Sequence, residues 1–149
     1  MEVLDKLGPF FTLLGAAMAA FLPGYGSAKS VGRLGQAING VLTEQPELFG
    51  RALILQALPG TQGIYGLLTF FLILTRSGLM ESGFSANITW YQGLLWLAAS
   101  LPITIVGYLS ALHQAKVCET GVALIAKRSD QHARVIVLAV VVETYAIFA

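Results

Sequence analysis

The sequence predicts an all-α membrane protein of four transmembrane helices, arranged as two tandem copies of a helical hairpin. Three observations lead there: scarce charge, four apolar runs long enough to cross a bilayer, and an internal repeat. Of 149 residues, 56% are hydrophobic and 11% charged, and the mean hydropathy is +0.72. A soluble domain carries about 25% charged residues. Too few polar side chains remain here to cover a water-facing surface, so lipid is the solvent for much of the chain.

The apolar runs are residues 10–34, 48–75, 90–117 and 135 to the end. About 20 helical residues cross the hydrocarbon core. The fourth run is the shortest and is still apolar at Ala149, so the helix is expected to continue beyond it. None of the runs shows the two-residue alternation of a barrel strand. The breaks carry turn chemistry: Asn39-Gly40 and Gln45-Pro46, then Ser77-Gly78 and Ser82-Gly83, then Lys127-Arg128-Ser129-Asp130. Ser85 or Asn87 is expected to cap the third helix, and Ser129 or Asp130 the fourth. The whole chain, 1–149, is one membrane domain, with hairpins at about 8–78 and 85–149.

Basic residues orient the spans. Lys29, Arg33, Arg51, Lys116, Lys127, Arg128 and Arg134 flank the first and third connections, whereas Lys6 and Arg76 lie on the opposite side. Positive charge collects on the cytoplasmic face, so connections one and three are expected in the cytoplasm and the N-terminus outside. Trp90 and Tyr91 are expected to anchor the outer interface, and Lys29 and Lys116 to snorkel toward the inner one.

Several function classes are excluded. A net charge of +1 supplies no basic field for nucleic acid. A single cysteine, Cys118, rules out an intrachain disulfide framework and reads as a small packing residue. His113 and His132 are too far apart for a zinc pair, and His113 reads as a packed polar group. Residues 1–6 hold two acids and one base, the wrong polarity for a secretory signal.

The repeat appears on shifting the chain by 83 residues. Gly24-Tyr25-Gly26-Ser27-Ala28 then falls on Gly107-Tyr108-Leu109-Ser110-Ala111, and Gly60-Thr61 on Glu143-Thr144. Two blocks matched at one offset, in corresponding helices, indicate duplication. Each copy holds two spans, so the copies run in parallel orientation, unlike the inverted repeats of many transporters. The second copy has a carboxylate where the first has glycine. Small residues recur along the first span (Gly15, Ala19, Gly24, Ala28, Gly32), a stripe that lets helices approach closely in lipid, within the monomer or between copies.

Glu143 lies in an apolar run, Val135 to Ala149. An ionised carboxylate there costs several kcal/mol unless paired or neutralised, which marks it as functional. With the second hairpin turning at Arg128-Ser129, Gln114 and Glu143 each lie about 14.5 residues from the turn and are level. With the first turning at Gln45-Pro46, Leu58, Thr61 and Gln62 fall in the same layer, roughly 6 Å thick. These three share one helix face through their i, i+3, i+4 spacing. Pro59 between them weakens the local ladder of backbone bonds, and Tyr65 is placed to donate its hydroxyl to the carboxylate. No Lys or Arg lies at that depth. A carboxylate, two amide oxygens, a hydroxyl and a carbonyl are hard ligands for a hard cation. One negative charge suits a monovalent ion, and two glutamines favour Na+ over a bare proton.

At these residues the chain resembles the 16 kDa proteolipids, the c-type (K) subunits of the membrane rotors of V-type ATPases, and within them the bacterial sodium-transporting kind. The blocks that carry the resemblance are Leu58-Pro-Gly-Thr-Gln-Gly-Ile-Tyr-Gly66, Gly24-Tyr-Gly-Ser-Ala-Lys29, Gln114-Ala-Lys-Val117 and Val142-Glu-Thr-Tyr-Ala146. The resemblance implies that Glu143 carries the ion, joined by the Leu58 carbonyl, Thr61, Gln62 and Gln114, with Tyr65 bonding the carboxylate. It further implies an oligomeric rotor ring in the cell membrane. The first and third helices would line its inside, while the second and fourth face lipid and a stator subunit with an essential arginine. Central-stalk subunits would meet the cytoplasmic loops. The chain itself would be non-catalytic; it has no P-loop and no nucleophile–base pair. Other readings are the same rotor carrying H+ and a structural or channel-forming membrane oligomer. A small multidrug exporter fits poorly, because those chains carry the carboxylate in the first helix.

Overall fold

The computed structural model describes residues 7–83 and 86–149; Lys6 and Ser85, named above for orientation and capping, lie outside them. The described residues are helical throughout, joined by turns, with no strand among them. We label the long helices α1 (Leu7–Leu42), α2 (Pro46–Arg76), α3 (Trp90–Lys127) and α4 (His132–Ile147). The first three are long and apolar enough to cross a membrane. The fourth, at 16 residues, extends about 24 Å at 1.5 Å per residue, short of a hydrocarbon core about 30 Å thick. Three helices rather than four therefore meet the expected span length.

Three of the long helices contain a proline, each accommodated locally. Pro23 sits inside α1, where a proline removes a backbone bond and costs about 3 kcal/mol. Its ring is buried in a notch between two glycines: a Cβ on Gly66 of α2 or Gly107 of α3 would stand 3.0 Å from its Cγ. α2 is interrupted by a 3-10 turn, Leu58–Gly60, around Pro59. α3 carries a π-helical turn, Ile103–Gly107, directly after Pro102. Hydroxyls take up nearby carbonyls, Ser100 donating to Leu97 O and Thr104 to Ser100 O, each at 2.7 Å. In lipid, where no water can do so, side chains must supply such partners.

The expected caps fall elsewhere. α3 is capped by Thr89: its Oγ1 accepts the Gln92 N–H at 3.3 Å, and the Gln92 side chain accepts the Thr89 N–H at 3.0 Å. This reciprocal box needs the glutamine three residues on, which Asn87 lacks. α4 has no side-chain cap, because a 3-10 turn over Ser129–Gln131 leads directly into it. The two hairpin turns are near copies. Gln45 (φ −135°, ψ 69°) and Arg128 (φ −144°, ψ 82°) break the helices, and each is followed by a 3-10 turn. A clasp joins these turns at one end of the bundle: the Arg51 guanidinium donates to Ser129 O, and His132 Nε2 lies 3.0 Å from Arg51 O.

α1 packs along both α2 and α3, and α4 lies chiefly against α3. All four contribute to one apolar cluster that includes Leu34, Leu55, Cys118, Val122, Ile125 and Val135. The outer faces of α2 and α4 expose Ile64, Leu67, Leu68, Val137, Leu138 and Val141, apolar side chains suited to lipid. The small-residue stripe divides. Gly15 and Ala19 are buried inside the monomer, whereas Ala28 and Gly32 face outward, with open space where a Cβ on Gly32 would be.

Candidate functional site

Glu143 is 7% exposed, on the face of α4 turned toward α2 and α3. The Tyr65 hydroxyl of α2 donates to its Oε1 at 2.6 Å, and the Gln114 Nε2 of α3 donates to its Oε2 at 3.3 Å. Ion pairs among the described residues are Arg33–Glu119 and Arg128–Asp130; no cationic side chain among them faces the Glu143 carboxylate. Two neutral donors at a buried carboxylate offset part of its desolvation and leave the charge itself uncompensated.

Gln114 and Gln62 are both fully buried. The second amide hydrogen of Gln114 goes to Ala139 O at 3.1 Å, and its Oε1 accepts from Gln62 Nε2 at 2.6 Å. Gln62 Nε2 also donates to Ser110 Oγ at 3.3 Å, and Ser110 in turn donates to Val142 O at 3.0 Å. The Gln62 Oε1 is left over. It is the one buried side-chain oxygen or nitrogen without a partner among the described residues. An unmet buried acceptor costs about 1–3 kcal/mol, which a ligand supplying positive charge would recover.

Thr61 and Leu58 lie beside this group and bond to one another. The Thr61 hydroxyl donates to Leu58 O at 2.9 Å, and so does the Thr61 backbone N–H. Its hydrogen committed, the Thr61 hydroxyl retains acceptor capacity. Thus Tyr65, Glu143, Gln114 and Gln62 form one bonded chain, and Leu58 with Thr61 an adjacent pair.

Helix packing sets this arrangement. The 3-10 turn at Pro59 draws α2 against α1, where the Gly63 N–H donates to Ser27 Oγ at 2.9 Å. A Cβ on Gly63 would stand 3.3 Å from Gly24 Cα and from Ser27 Oγ, so its lack of a side chain permits the approach.

Two residues fall differently from the sequence expectation. His113 is exposed rather than packed. Successive helix residues are turned about 100° apart, so Gln114 facing the core sends His113 outward, into a groove shared with Lys29, Arg33 and Lys116. Ser110 enters the sequence reading only as part of the repeat, yet it bonds directly into the site. The available signal is its position four residues before Gln114, on the same helix face.

Among known sequences, the model of the ATP synthase C-subunit family matches residues 14–73 and 97–149. The chain is 44% identical to the K subunit of the V-type sodium ATPase of Enterococcus hirae, over 94% of this chain and 85% of the relative. It is 34% identical to the K subunit of the A-type ATP synthase of Methanocaldococcus jannaschii, over 91% of this chain and 56% of that protein. Against the V-type proton ATPase 16 kDa proteolipid of Nephrops norvegicus, identity is 26% over 94% of this chain and 85% of the relative.

Proposed function

The chain belongs to the ATP synthase C-subunit family, and we propose that it is the proteolipid of a V-type rotary ATPase, carrying Na+ across the membrane on Glu143 as a ring of copies turns. The observation that carries this reading is the unpartnered Gln62 Oε1, buried one amide away from a carboxylate that faces no cation among the described residues. Na+ is the cargo, and the residues proposed to hold it are Glu143, Gln114, Gln62, Thr61 and the Leu58 carbonyl, with Tyr65 steadying the carboxylate. Hard oxygen donors around one negative charge match a monovalent cation. Loaded, the site is neutral and can pass through lipid; empty, it carries a bare charge that lipid penalises. An arginine on a stator subunit would compete for the carboxylate and release the ion, and stalk subunits at the cytoplasmic turns would transmit rotation. The chain performs no catalysis in this scheme.

Four spans in two duplicated hairpins, at about 8–78 and 85–149, complete the proposal. The family match recurs with starts at 14 and 97, 83 residues apart, the same shift that aligns the halves. The equivalent breaks at Gln45 and Arg128 support it. In this proposal α4 is taken as the fourth span, a reading supported by the bond from Gln114 of the membrane-length α3 to Glu143 on it. The N-terminus would lie outside the cell membrane and the clasped turns in the cytoplasm.

Sodium protection of Glu143 is the direct test. In the intact membrane complex at neutral or alkaline pH, Na+ should slow carbodiimide modification of Glu143; modification indifferent to Na+ would assign the rotor to protons. Tyr65→Phe removes the 2.6 Å bond to the carboxylate. A hydrogen bond to a charged group contributes about 1.5–3 kcal/mol, so the half-protecting Na+ concentration should rise at least about tenfold.

A further inference from the structure

We propose that Ser110 is a positioning residue that locks the polarity of the Gln62 amide, holding its oxygen rather than its nitrogen toward the ion and so favouring Na+ over H+. The inference rests on the sodium reading above and assigns a role to a residue outside the proposed ligand set.

The direction of each hydrogen bond fixes that polarity. A primary amide is nearly symmetric in shape but has two donors at one end and an acceptor at the other. Which end faces the ion is therefore set by its other neighbours. Gln114 is held in one orientation, because its Nε2 donates to the Glu143 carboxylate and to Ala139 O, and the backbone carbonyl has no hydrogen to donate back in any protonation state of Glu143. Its Oε1 consequently faces Gln62 and demands a donor there. Ser110 closes the other side. A hydroxyl could donate or accept, but its single hydrogen is committed to Val142 O, a backbone acceptor. Toward Gln62 it presents a lone pair.

Gln62 thus meets two acceptors, Gln114 Oε1 and Ser110 Oγ, and spends both amide hydrogens on them. Turning the amide over would set oxygen against oxygen at both contacts. The one remaining feature of the side chain is the buried, unpartnered Oε1. Two backbone carbonyls, at Ala139 and Val142, anchor the direction of the whole relay. Both lie on α4, which also carries Glu143, so the acceptors that anchor the relay and the carboxylate belong to one helix.

A proton on Glu143 would leave the Gln62 oxygen still unmet, whereas a cation coordinated beside the carboxylate engages it. An amide held oxygen-first rewards Na+ specifically; one free to turn offers N–H instead, which repels a cation and is indifferent to a protonated acid.

The test compares Ser110→Ala, Ser110→Thr and Ser110→Cys in the intact complex, reading two quantities. One is the Na+ concentration that half-protects Glu143 from carbodiimide; the other is the pH profile of modification without Na+. Losing one buried hydrogen-bond partner should raise the half-protecting Na+ concentration of Ser110→Ala by about tenfold. The Na+-free pH profile should stay in place, which a general packing defect would not allow. Ser110→Thr, keeping the hydroxyl, should stay close to the parent, and Ser110→Cys, a near-isosteric but poor acceptor, should weaken Na+ protection in the same direction. Unchanged Na+ protection in Ser110→Ala, or in Ser110→Cys where the alanine variant fails to assemble, overturns the lock alone. A parallel shift of Na+ protection and pH profile also overturns it. Absence of Na+ protection in the unmodified chain overturns the sodium reading as well.

Discussion

Glu143→Gln is expected to leave a folded, assembled protein that moves no ion. Glutamine matches glutamate in size, so the pocket between α2, α3 and α4 stays filled, and the 7% exposure of this position makes shape the first requirement. The charge is lost, and with it the reason for a cation to enter. A new mismatch also arises. The carboxylate accepts from Tyr65 on one oxygen and from Gln114 on the other, whereas an amide presents an NH2 to one of these donors. With no charge to exchange, uptake of radioactive Na+ by the reconstituted complex should fall to background, as expected for the loss of an essential intramembrane charge. ATP-driven rotation should stall with it, and carbodiimide should no longer modify position 143. Retained Na+ uptake would remove Glu143 from the carrier role.

Gln114→Ala should have the second-largest effect, and a different character. Gln114 is the hub of the site: it bonds Glu143, Ala139 and Gln62. Its loss takes away an amide oxygen and frees the carboxylate and Gln62 to reorient. Two polar contacts at about 1–1.5 kcal/mol each correspond to roughly a hundredfold weaker Na+ binding. The carboxylate survives, so the ring can still be loaded by a proton, and water can occupy the vacated polar space. Measured in liposomes, ATP-driven transport should lose its Na+ dependence at millimolar Na+ yet persist at acidic pH. Transport that keeps the parent's Na+ dependence would place the ion away from Gln114, at the carboxylate and Tyr65 alone.

Much of this site is legible along the chain because a helix is a ruler. At 1.5 Å per residue, the count from the turn at Arg128 puts Gln114 and Glu143 at one depth, and they are in fact bonded. The same count from Gln45 brings Gln62 to that layer, where it bonds Gln114. Depth needs only the turn positions, and Pro46, Arg128 and Ser129 mark those. Charge scarcity, the apolar runs and the 83-residue shift likewise need nothing beyond the order of residues.

Rotation about the helix axis is another matter, since it depends on which neighbour each face meets. His113 and Gln114 are adjacent in sequence, yet one is exposed and the other fully buried. Of the small stripe on α1, Gly15 and Ala19 turn inward while Ala28 and Gly32 turn outward. The cap at Thr89 escapes a reading by residue preference, because the turn geometry decides which hydroxyl reaches a free N–H. Ser110 shows the same limit most clearly, because its role lies in the direction of one hydrogen, toward Val142 O. By itself, then, the sequence determined that the chain is helical and membrane-embedded, which acid it buries, and at what depth that acid meets its partners. Only the tertiary structure decided which faces meet, which donors turn toward which acceptors, and that one amide oxygen is left without a partner. Translation along a helix is a local, additive property of the backbone. Azimuth and hydrogen-bond direction emerge only when several helices must satisfy one another in a medium that supplies no water.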